Sequence, residues 1–174
     1  MSEMIILVDE NDRTIGFEEK LKAHQGEGKL HRSFSIFIFN SKGNILLQQR
    51  AKKKYHFGGL WSNACCSHPN KGEELEKAVH RKLKQEMGFD TDLREIFSFI
   101  YKVKDSNNGL TEHEFDHVFI GEYDGEPNPN LEEVDNWKWT DIKELKKDVK
   151  NNPEKYSFWF REAFHKIIES KKFN

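Results

Sequence analysis

The sequence has few cysteines and no long apolar run. Its two cysteines, Cys65 and Cys66, are neighbours among 174 residues. Adjacent cysteines cannot cross-link distant segments, and a disulfide between them would be strained. We therefore expect a reducing, cytoplasmic setting, not a disulfide-stabilised secreted protein. No apolar run is long enough to span a bilayer, and residues 1–20 lack the basic start and apolar block of a signal peptide.

The sequence also lacks an excess of charge of one sign. Its 28 lysines and arginines against 30 aspartates and glutamates give a net charge of −2. A protein that binds nucleic acid or an anionic membrane surface usually carries a basic field, so we expect neither partner. Hydrophobic residues make up 36% and aromatic residues 13% of the chain, which is enough for one core at this length. We expect one domain over residues 1–174, as a monomer or weak dimer.

Local patterns predict a mixed chain of strands and helices. The strongest is a helix over residues 73–88, because Leu75, Val79, Leu83 and Met87 recur every fourth residue and Gly88 is a typical end. The sequence also predicts strands at residues 4–8, 14–17, 33–39, 45–49, 96–103, 112–123 and 136–139, and further helices at 141–149 and 154–170. The strand at 33–39 is apolar on both faces, as in a buried central strand, and 45–49 is its predicted hairpin partner. Together these elements predict an α/β or α+β domain with helices packed on a mixed β-sheet.

The segment WSNACCSHP at residues 61–69 has the most unusual chemistry in the chain. Both thiols lie there, His68 follows Cys66 by two residues, and the polar neighbours predict a loop. A thiol beside acids or bases can act as a nucleophile or proton donor. The alternative is a buried, inert cysteine. If the segment is briefly extended, only one of the two thiols faces a site.

A second pattern suggests a metal site. Three histidines lie in two predicted loops, and the strand at 112–123 places residues 112, 114 and 116 on one face. Imidazole and carboxylate ligands suit a borderline divalent ion such as Zn²⁺ or Mn²⁺. The candidate ligands are His24, His31, His68, Glu112 and Glu114. The alternative is an edge strand with a solvated acidic face, and spacing alone does not separate the two.

Further charged and aromatic residues suggest an anion site and a site for a positive centre. Lys82 and Glu86 share a helix face, where the acid could hold Mg²⁺ on a phosphate or simply form an exposed ion pair. A basic run at residues 50–54 precedes a glycine-containing loop and could bind a polyphosphate, although solvated surface charge is the commoner fate of such runs. Trp159 and Tyr101 could stabilise a positive centre or pack in the core.

Several of these segments occur together in one known family. The segments are KLKAH at residues 20–24 followed by Leu30-His31, WSNACCSHP at 61–69, Glu112-His113-Glu114 and Ser157-Phe158-Trp159. In this order and spacing they resemble the type I isopentenyl diphosphate isomerase family, which has a Nudix-like fold. The resemblance extends from about Leu7 to about Ile168.

The resemblance implies a reaction and a role for each matching residue. The reaction is a 1,3-proton shift that converts isopentenyl diphosphate into dimethylallyl diphosphate through a tertiary carbocation. Glu114 would protonate the alkene and Cys66 would remove a proton as thiolate, or the reverse, and Tyr101 and Trp159 would lie near the hydrocarbon. The resemblance implies that the divalent metal is bound by His24, His31, His68, Glu112 and Glu114. It implies a Mg²⁺ held by Glu86 on the diphosphate, and diphosphate contacts from Lys20, Arg50, Lys54, Ser67 and Lys82.

The sequence departs from the family pattern on the helix at 73–88. Lys82 stands where the family has an arginine, so this phosphate contact would lose its bidentate geometry. Lys82 and Gln85 also stand where the general Nudix signature has metal-binding glutamates, which argues against a pyrophosphohydrolase. That hydrolase and a non-catalytic metal-binding domain are the two alternative functions.

Overall fold

A computed structural model describes residues 3–54 and 56–170. The ends of the predicted domain, residues 1–2 and 171–174, lie outside them. The strands are β1 (Met4–Val8), β2 (Thr14–Glu19), β3 (His31–Phe39), β4 (Asn44–Arg50), β5 (Trp61–Ser62), β6 (Cys65–Ser67), β7 (Leu93–Lys104), β8 (Thr111–Glu122) and β9 (Val134–Asp141). The helices are α1 (Lys20–Ala23), α2 (Leu75–Met87), α3 (Ile142–Asn151) and α4 (Phe158–Ser170), with a 3₁₀ turn at Pro153–Lys155.

The mixed sheet is organised around β3. On one side, β8 runs parallel to β3 with nine paired residues, beginning at His31↔Glu114. On the other side, β3 pairs antiparallel with β1 near its start, with β6 in its middle and with β4 at its end. Strands β7 and β8 form a long antiparallel hairpin. The alternative of an edge strand at 112–123 is therefore wrong, because β8 is paired on both sides.

Helices cover both faces of the sheet, and successive residues of β3 serve both. Ile36 and Ile38 pack in a cluster with Val79 and Leu83 of α2. Phe37 lies in the opposite cluster. The second cluster also contains Leu145 of α3 and, from α4, Phe160, Ala163, Phe164 and Ile167. This confirms the predicted α/β domain with helices packed on a mixed sheet.

Helix α2 closely follows its predicted pattern. Val79, Leu83 and Met87 have at most 1% of their surface exposed. Gly88 ends the helix with a φ of 76°, a left-handed conformation that favours glycine. A β-carbon there would also collide with the carbonyl oxygen of Asn128. The glycine therefore fixes both the end of α2 and the close approach of the loop that precedes β9.

Two predictions about local structure were right only in part. Strands β3 and β4 are joined by a tight turn but pair only at Phe39↔Ile45, because β4 diverges to pair along its whole length with β9. The predicted helix at 154–170 is interrupted at Tyr156 and Ser157, where the backbone NH of Ser157 donates to Trp61 O. None of the helices in the described part of the chain has the length and apolar character to cross a membrane.

Candidate active site

A cavity of about 430 Å³ lies among side chains from β4, β6, β7, β8, α2 and α4. All but two of the site residues predicted from the sequence line it. The two others, His24 and His31, are fully buried and contact the lining residues Glu112 and Glu114. The fold therefore brings together residues separated by more than 100 positions in sequence.

Five side chains converge beside this cavity. His24, His31, His68, Glu112 and Glu114 each offer one ligand atom, and these atoms lie within 4.8 Å of one another. All five residues are buried. His24 ends α1, His31 begins β3 opposite Glu114 on β8, and His68 follows β6. For His31 and Glu114, the convergence follows from the sheet register, which sets the start of β3 beside the start of β8.

Two of the histidines are held with Nε2 facing the cluster. The Nδ1 atom of His24 lies 2.6 Å from Lys20 O, and that of His31 lies 2.8 Å from Lys29 O. A carbonyl can only accept, so each ring carries a proton on Nδ1. Its Nε2 donates to a carboxylate when the ring is charged and offers a lone pair to a metal when the ring is neutral. Metal-binding histidines are oriented in this way in proteins.

The donor set and its spacings fit a divalent metal. His31 Nε2 lies 3.1 Å from His68 Nε2, His24 Nε2 lies 3.0 Å from Glu112 Oε2, and His68 Nε2 lies 2.8 Å from Glu114 Oε1. Ligand atoms about 2.1 Å from one ion and at right angles to each other are about 3 Å apart. Nitrogen and oxygen ligands in this mixture suit Zn²⁺ or Mn²⁺ better than Ca²⁺. The five residues of the cluster therefore fit a divalent metal ion.

The three acidic residues on this face of β8 differ in charge. Burial favours protonation of Glu112 and Glu114, but hydrogen bonds from the histidines outweigh it and lower the pKa of both. The pKa of Asp116 is raised well above its ordinary value by burial and by the nearby charge of Glu114. Asp116 is hydrogen-bonded to Ser33 and Ser35. It lies outside the ligand cluster, and only two of the three carboxylates are available to a cation.

Tyr101 holds the second oxygen of Glu114. Its hydroxyl donates to Glu114 Oε2 over 2.6 Å. Burial, and then the charge of Glu114, raises the pKa of Tyr101 well above its ordinary value, so the phenol stays protonated as a donor. The Glu114 carboxylate thus has one oxygen on the histidine cluster and the other on a fixed phenol, at the wall of the cavity.

The two thiols lie on opposite faces of β6. The predicted polar loop is wrong here, because Cys65 and Cys66 pair with Ile36 and Ser35 of β3 as a strand. Cys66 lines the cavity, whereas Cys65 is fully buried in the cluster beneath α2. Burial raises the pKa of the Cys66 thiol to about 12, although the nearby Arg50 favours the thiolate. Strand alternation thus selects Cys66 as the thiol of this cavity.

Arg50 and Trp159 form the aromatic side of the cavity. The Arg50 guanidinium carbon lies 5.1 Å from the centre of the Trp159 ring, and its Nη1 lies 3.6 Å from Cys66 Sγ. The indole NH of Trp159 donates to Ser62 Oγ over 3.1 Å. Tyr101 and Phe57 lie 6.4 and 5.5 Å from the indole, centre to centre. The face of Trp159 is therefore fixed at a position already suited to a positive charge.

Each lysine predicted to bind the diphosphate is paired with a carboxylate at the cavity. Lys82 Nζ lies 3.2 Å from Glu86 Oε1, and Glu86 also accepts from Gln48 Nε2 at 3.1 Å. The other pairs are Lys20 with Glu3 and Lys54 with Glu133. Ser67 lines the same region. This mixture of cations and carboxylates can receive an anion and a divalent cation together.

The structure adds residues that the sequence patterns did not single out. His56 lines the cavity and its Nε2 lies 2.5 Å from Glu112 Oε1. Glu3 and Glu133 line the cavity as partners of the lysines. The only signal for His56 in the sequence was its position between the basic run and the glycines that follow. The carboxylates gave none, because their partners are distant in sequence.

Comparison of folds and sequences first defines the class of protein. Residues 29–160 match the sequence pattern of the NUDIX domain family. A protein of known structure from Deinococcus radiodurans superposes with a TM-score of 0.78 at 21% identity, covering 94% of this chain and 98% of its own. The MutT protein from Methanosarcina mazei superposes with a TM-score of 0.68 at 19% identity, covering 82% and 96%. The protein therefore has the fold of a NUDIX domain.

Curated relatives then define the family. The chain is 51% identical to isopentenyl-diphosphate Delta-isomerase 2 of Aromatoleum aromaticum over 100% of its own length and 91% of the relative's. It is 50% identical to the isopentenyl-diphosphate Delta-isomerase of Serratia proteamaculans over 92% and 88%. The chain belongs to the isopentenyl-diphosphate Delta-isomerase family, and the family resemblance seen in the sequence is confirmed.

Proposed function

We propose that this protein converts isopentenyl diphosphate into dimethylallyl diphosphate at the cavity between Cys66 and Glu114. The observation that carries the proposal is that one cavity holds a thiol, a carboxylate fixed by Tyr101, an indole face and several cationic side chains. The chain's membership of the isomerase family supports the same reaction.

The cationic side chains of the cavity would bind the diphosphate. We assign this role to Lys20, Arg50, Lys54, Ser67 and Lys82, all of which line the cavity. Glu86, which is 2% exposed and oriented by Gln48 and Lys82, would hold a Mg²⁺ on the phosphate oxygens. Binding energy from the diphosphate, remote from the reacting carbons, would fix the hydrocarbon in the cavity.

The cluster of five ligands would hold a second divalent ion, Zn²⁺ or Mn²⁺. His24, His31, His68, Glu112 and Glu114 supply the nitrogen and oxygen atoms for it. Such an ion, when bound, supplies positive charge that fixes the carboxylates and makes a nearby proton more acidic. The protein's part is to position Glu114, whose Oε2 accepts the hydrogen bond from the hydroxyl of Tyr101.

The reaction needs two acid–base groups. A proton is added to the terminal carbon of the double bond, the electron pair of that bond forms the new C–H bond, and the tertiary carbon becomes a cation. A proton is then lost from the carbon nearer the diphosphate, and its C–H electrons form the new double bond. We assign Glu114 and Cys66 to these two transfers. Since the reaction is reversible, each group donates in one direction and accepts in the other.

The indole of Trp159 would stabilise the tertiary cation. A cation over a tryptophan face gains roughly 2 kcal/mol when water is excluded. The Trp159 ring is only 3% exposed and is fixed by its hydrogen bond to Ser62. Arg50 already lies over this ring. Closure of the cavity around the substrate would keep water from adding to the cation.

A thiol with an acid–base role must stay reduced, which supports a cytoplasmic location. Cys65 and Cys66 are both free, with side chains on opposite faces of β6. Every group assigned above belongs to one chain, so we also propose that the active unit is a monomer or weak dimer.

The NUDIX fold raises the alternative of diphosphate hydrolysis. Two positions of α2 argue against it. Lys82 carries a positive charge and is paired with Glu86, and Gln85 is exposed and hydrogen-bonded to Arg81. Neither provides the carboxylate that a hydrolytic metal site would need at that position.

The test is conversion of labelled isopentenyl diphosphate by the reduced, metal-loaded protein beside Cys66→Ala and Cys65→Ala. We expect dimethylallyl diphosphate from the wild type and from Cys65→Ala, and essentially none from Cys66→Ala. Cys65→Ala is the matched control, because it removes the same atom from the other face of the strand. No isomer from folded wild type would refute the proposal. Phosphate release in the same tube would indicate the hydrolase instead. The absence of both isomer and phosphate would indicate a binding role.

A further inference from the structure

We propose that His56 is a positioning residue for the metal cluster, holding one oxygen of Glu112 so that the other faces His24 and the remaining ligands. The inference rests on the metal site proposed above and adds a fourth histidine to its surroundings.

His56 contacts the oxygen of Glu112 that His24 does not contact. His56 Nε2 lies 2.5 Å from Glu112 Oε1, whereas His24 Nε2 lies 3.0 Å from Glu112 Oε2. His56 is 8% exposed, and its ring stacks on that of His24 with centres 5.3 Å apart. It is not among the five residues whose ligand atoms converge. His56 therefore contacts a ligand without joining the ligand set.

The two carboxylates of the cluster are held in the same way. Glu114 presents Oε1 to His68, 2.8 Å away, and its Oε2 accepts from the Tyr101 hydroxyl at 2.6 Å. Glu112 presents Oε2 to His24, and its Oε1 is held by His56. Each carboxylate thus has one oxygen on the cluster and one on a donor outside it. His56 does for Glu112 what Tyr101 does for Glu114.

The backbone around His56 is held in a conformation that the local sequence does not favour. Phe57 has a φ of 51°, which is uncommon for a bulky residue. The carbonyl of His56 accepts from Arg50 Nη2 at 3.3 Å, and the NH of Phe57 donates to Asp105 Oδ2 at 3.1 Å. A β-carbon at Gly58 would lie 2.7 Å from Lys52 O. Strained positions persist where the surroundings fix them and are frequent at functional sites. Here they deliver His56 to Glu112.

Removal of the donor should weaken metal binding. Glu112 is 3% exposed, so its Oε1 would lose a partner that water cannot easily replace. Loss of a group that orients a metal ligand typically lowers metal affinity by about 10- to 100-fold. A side chain that only filled space beside the cavity would not have this effect.

The experiment measures Zn²⁺ and Mn²⁺ affinity of the full chain by competition with a chelator, beside circular dichroism to verify folding. We expect a fall of about 10- to 100-fold in His56→Ala and affinity within a few-fold of wild type in His56→Gln, because the glutamine amide can still donate. His80→Ala is the matched control. It removes another histidine paired with a carboxylate, Asp90, but on an exposed face of α2. Its affinity should be unchanged.

Three results would overturn the inference. Wild-type affinity in folded His56→Ala would show that Glu112 needs no such donor. Equal weakness of His56→Gln and His56→Ala, with a changed Co²⁺ absorption spectrum in both, would make His56 a direct ligand. Failure of the wild type itself to bind either metal would refute the proposed metal site and this inference together. The first result, equal binding by wild type and His56→Ala, would refute the inference alone.

Discussion

Replacement of Tyr101 by phenylalanine isolates one contact of the proposed acid–base carboxylate. The hydroxyl donates to Glu114 Oε2 over 2.6 Å in a buried part of the cavity. The ring packs against Phe99, Phe158 and Trp159, with centres 5.7, 5.8 and 6.4 Å away. Phenylalanine keeps these ring contacts and creates no cavity larger than the lost oxygen. The substitution therefore removes the hydrogen bond and little else.

The expected loss follows from the charge of the acceptor. A hydrogen bond to a charged group contributes roughly 1.5–3 kcal/mol. If that contribution is needed to hold Glu114 in its reactive position, the rate falls tenfold for about every 1.36 kcal/mol. We therefore expect kcat for isomerisation to fall about 10- to 150-fold in Tyr101→Phe. KM should change little, because Tyr101 is not among the residues assigned to the diphosphate.

The assay is steady-state formation of dimethylallyl diphosphate, with thermal unfolding measured on the same preparation. Tyr156→Phe is the matched control. Tyr156 is also buried and also donates to a carboxylate, Asp148 Oδ2, at 2.5 Å, but it does not line the cavity. Its loss should lower stability slightly and leave kcat unchanged. A folded Tyr101→Phe protein with wild-type kcat would refute the reasoning, as would an equal loss of kcat in Tyr156→Phe.

Two further predictions concern stability, one within α2 and one at an ion pair between α2 and a residue just before it. Leu83→Ala should lower the free energy of unfolding in urea by about 2–5 kcal/mol, because Leu83 is fully buried. The second concerns pH. Two hydrogen bonds from Arg81 hold the pKa of Glu73 below its ordinary value. The ion pair therefore stabilises the folded protein above about pH 4.5 and its contribution is lost as pH falls through the lowered pKa. Glu73→Gln should be less stable than wild type at neutral pH, by about 1 kcal/mol at most, and the difference should disappear in acid.

A different result would contradict each of the two stability predictions. Gln85→Ala on the exposed side of α2 is the control for Leu83→Ala and should change stability by less than about 0.5 kcal/mol; equal losses in the two would mean that α2 is not packed as described. For Glu73→Gln, a difference from wild type that does not shrink as the pH is lowered from about 4.5 would mean that the ionised Glu73 is not the source of the stabilisation.

The sequence predicted elements best where local pattern and packing agree. Helix α2 begins two residues later than the period-four pattern suggested and ends at Gly88 as predicted. The alternation of residues 112 and 114 was also predictable, since it follows from strand geometry alone. By contrast, the departure of β4 from β3 depends on β9, which lies about 90 residues further along the chain. No local pattern encodes that competition.

The candidate site was predictable by residue type but not by position in space. The family resemblance implied His24, His31 and His68 as metal ligands, yet the convergence of these residues depends on how β6 and β8 pair with β3. Cys66 could be separated from Cys65 only once β6 was seen to pair with β3. His56 was missed because its contact with Glu112 depends on the left-handed backbone at Phe57. Such contacts arise from tertiary structure that overrides local preference.

The pairing of β6 with β3 links the thiol to the metal cluster. Three paired residues set its register, together with the Asn63 side chain, which donates to Ile36 O and Cys65 O. A slip by one residue would exchange the two faces of the strand. A thiol would still face the cavity, because Cys65 would replace Cys66, but His68 would turn away from the other ligands. Because the cysteines are neighbours, a thiol faces the cavity both in the observed register and in the register shifted by one residue. Only the position of His68 distinguishes the two registers. Metal binding through His68 would therefore favour the observed register of this short strand.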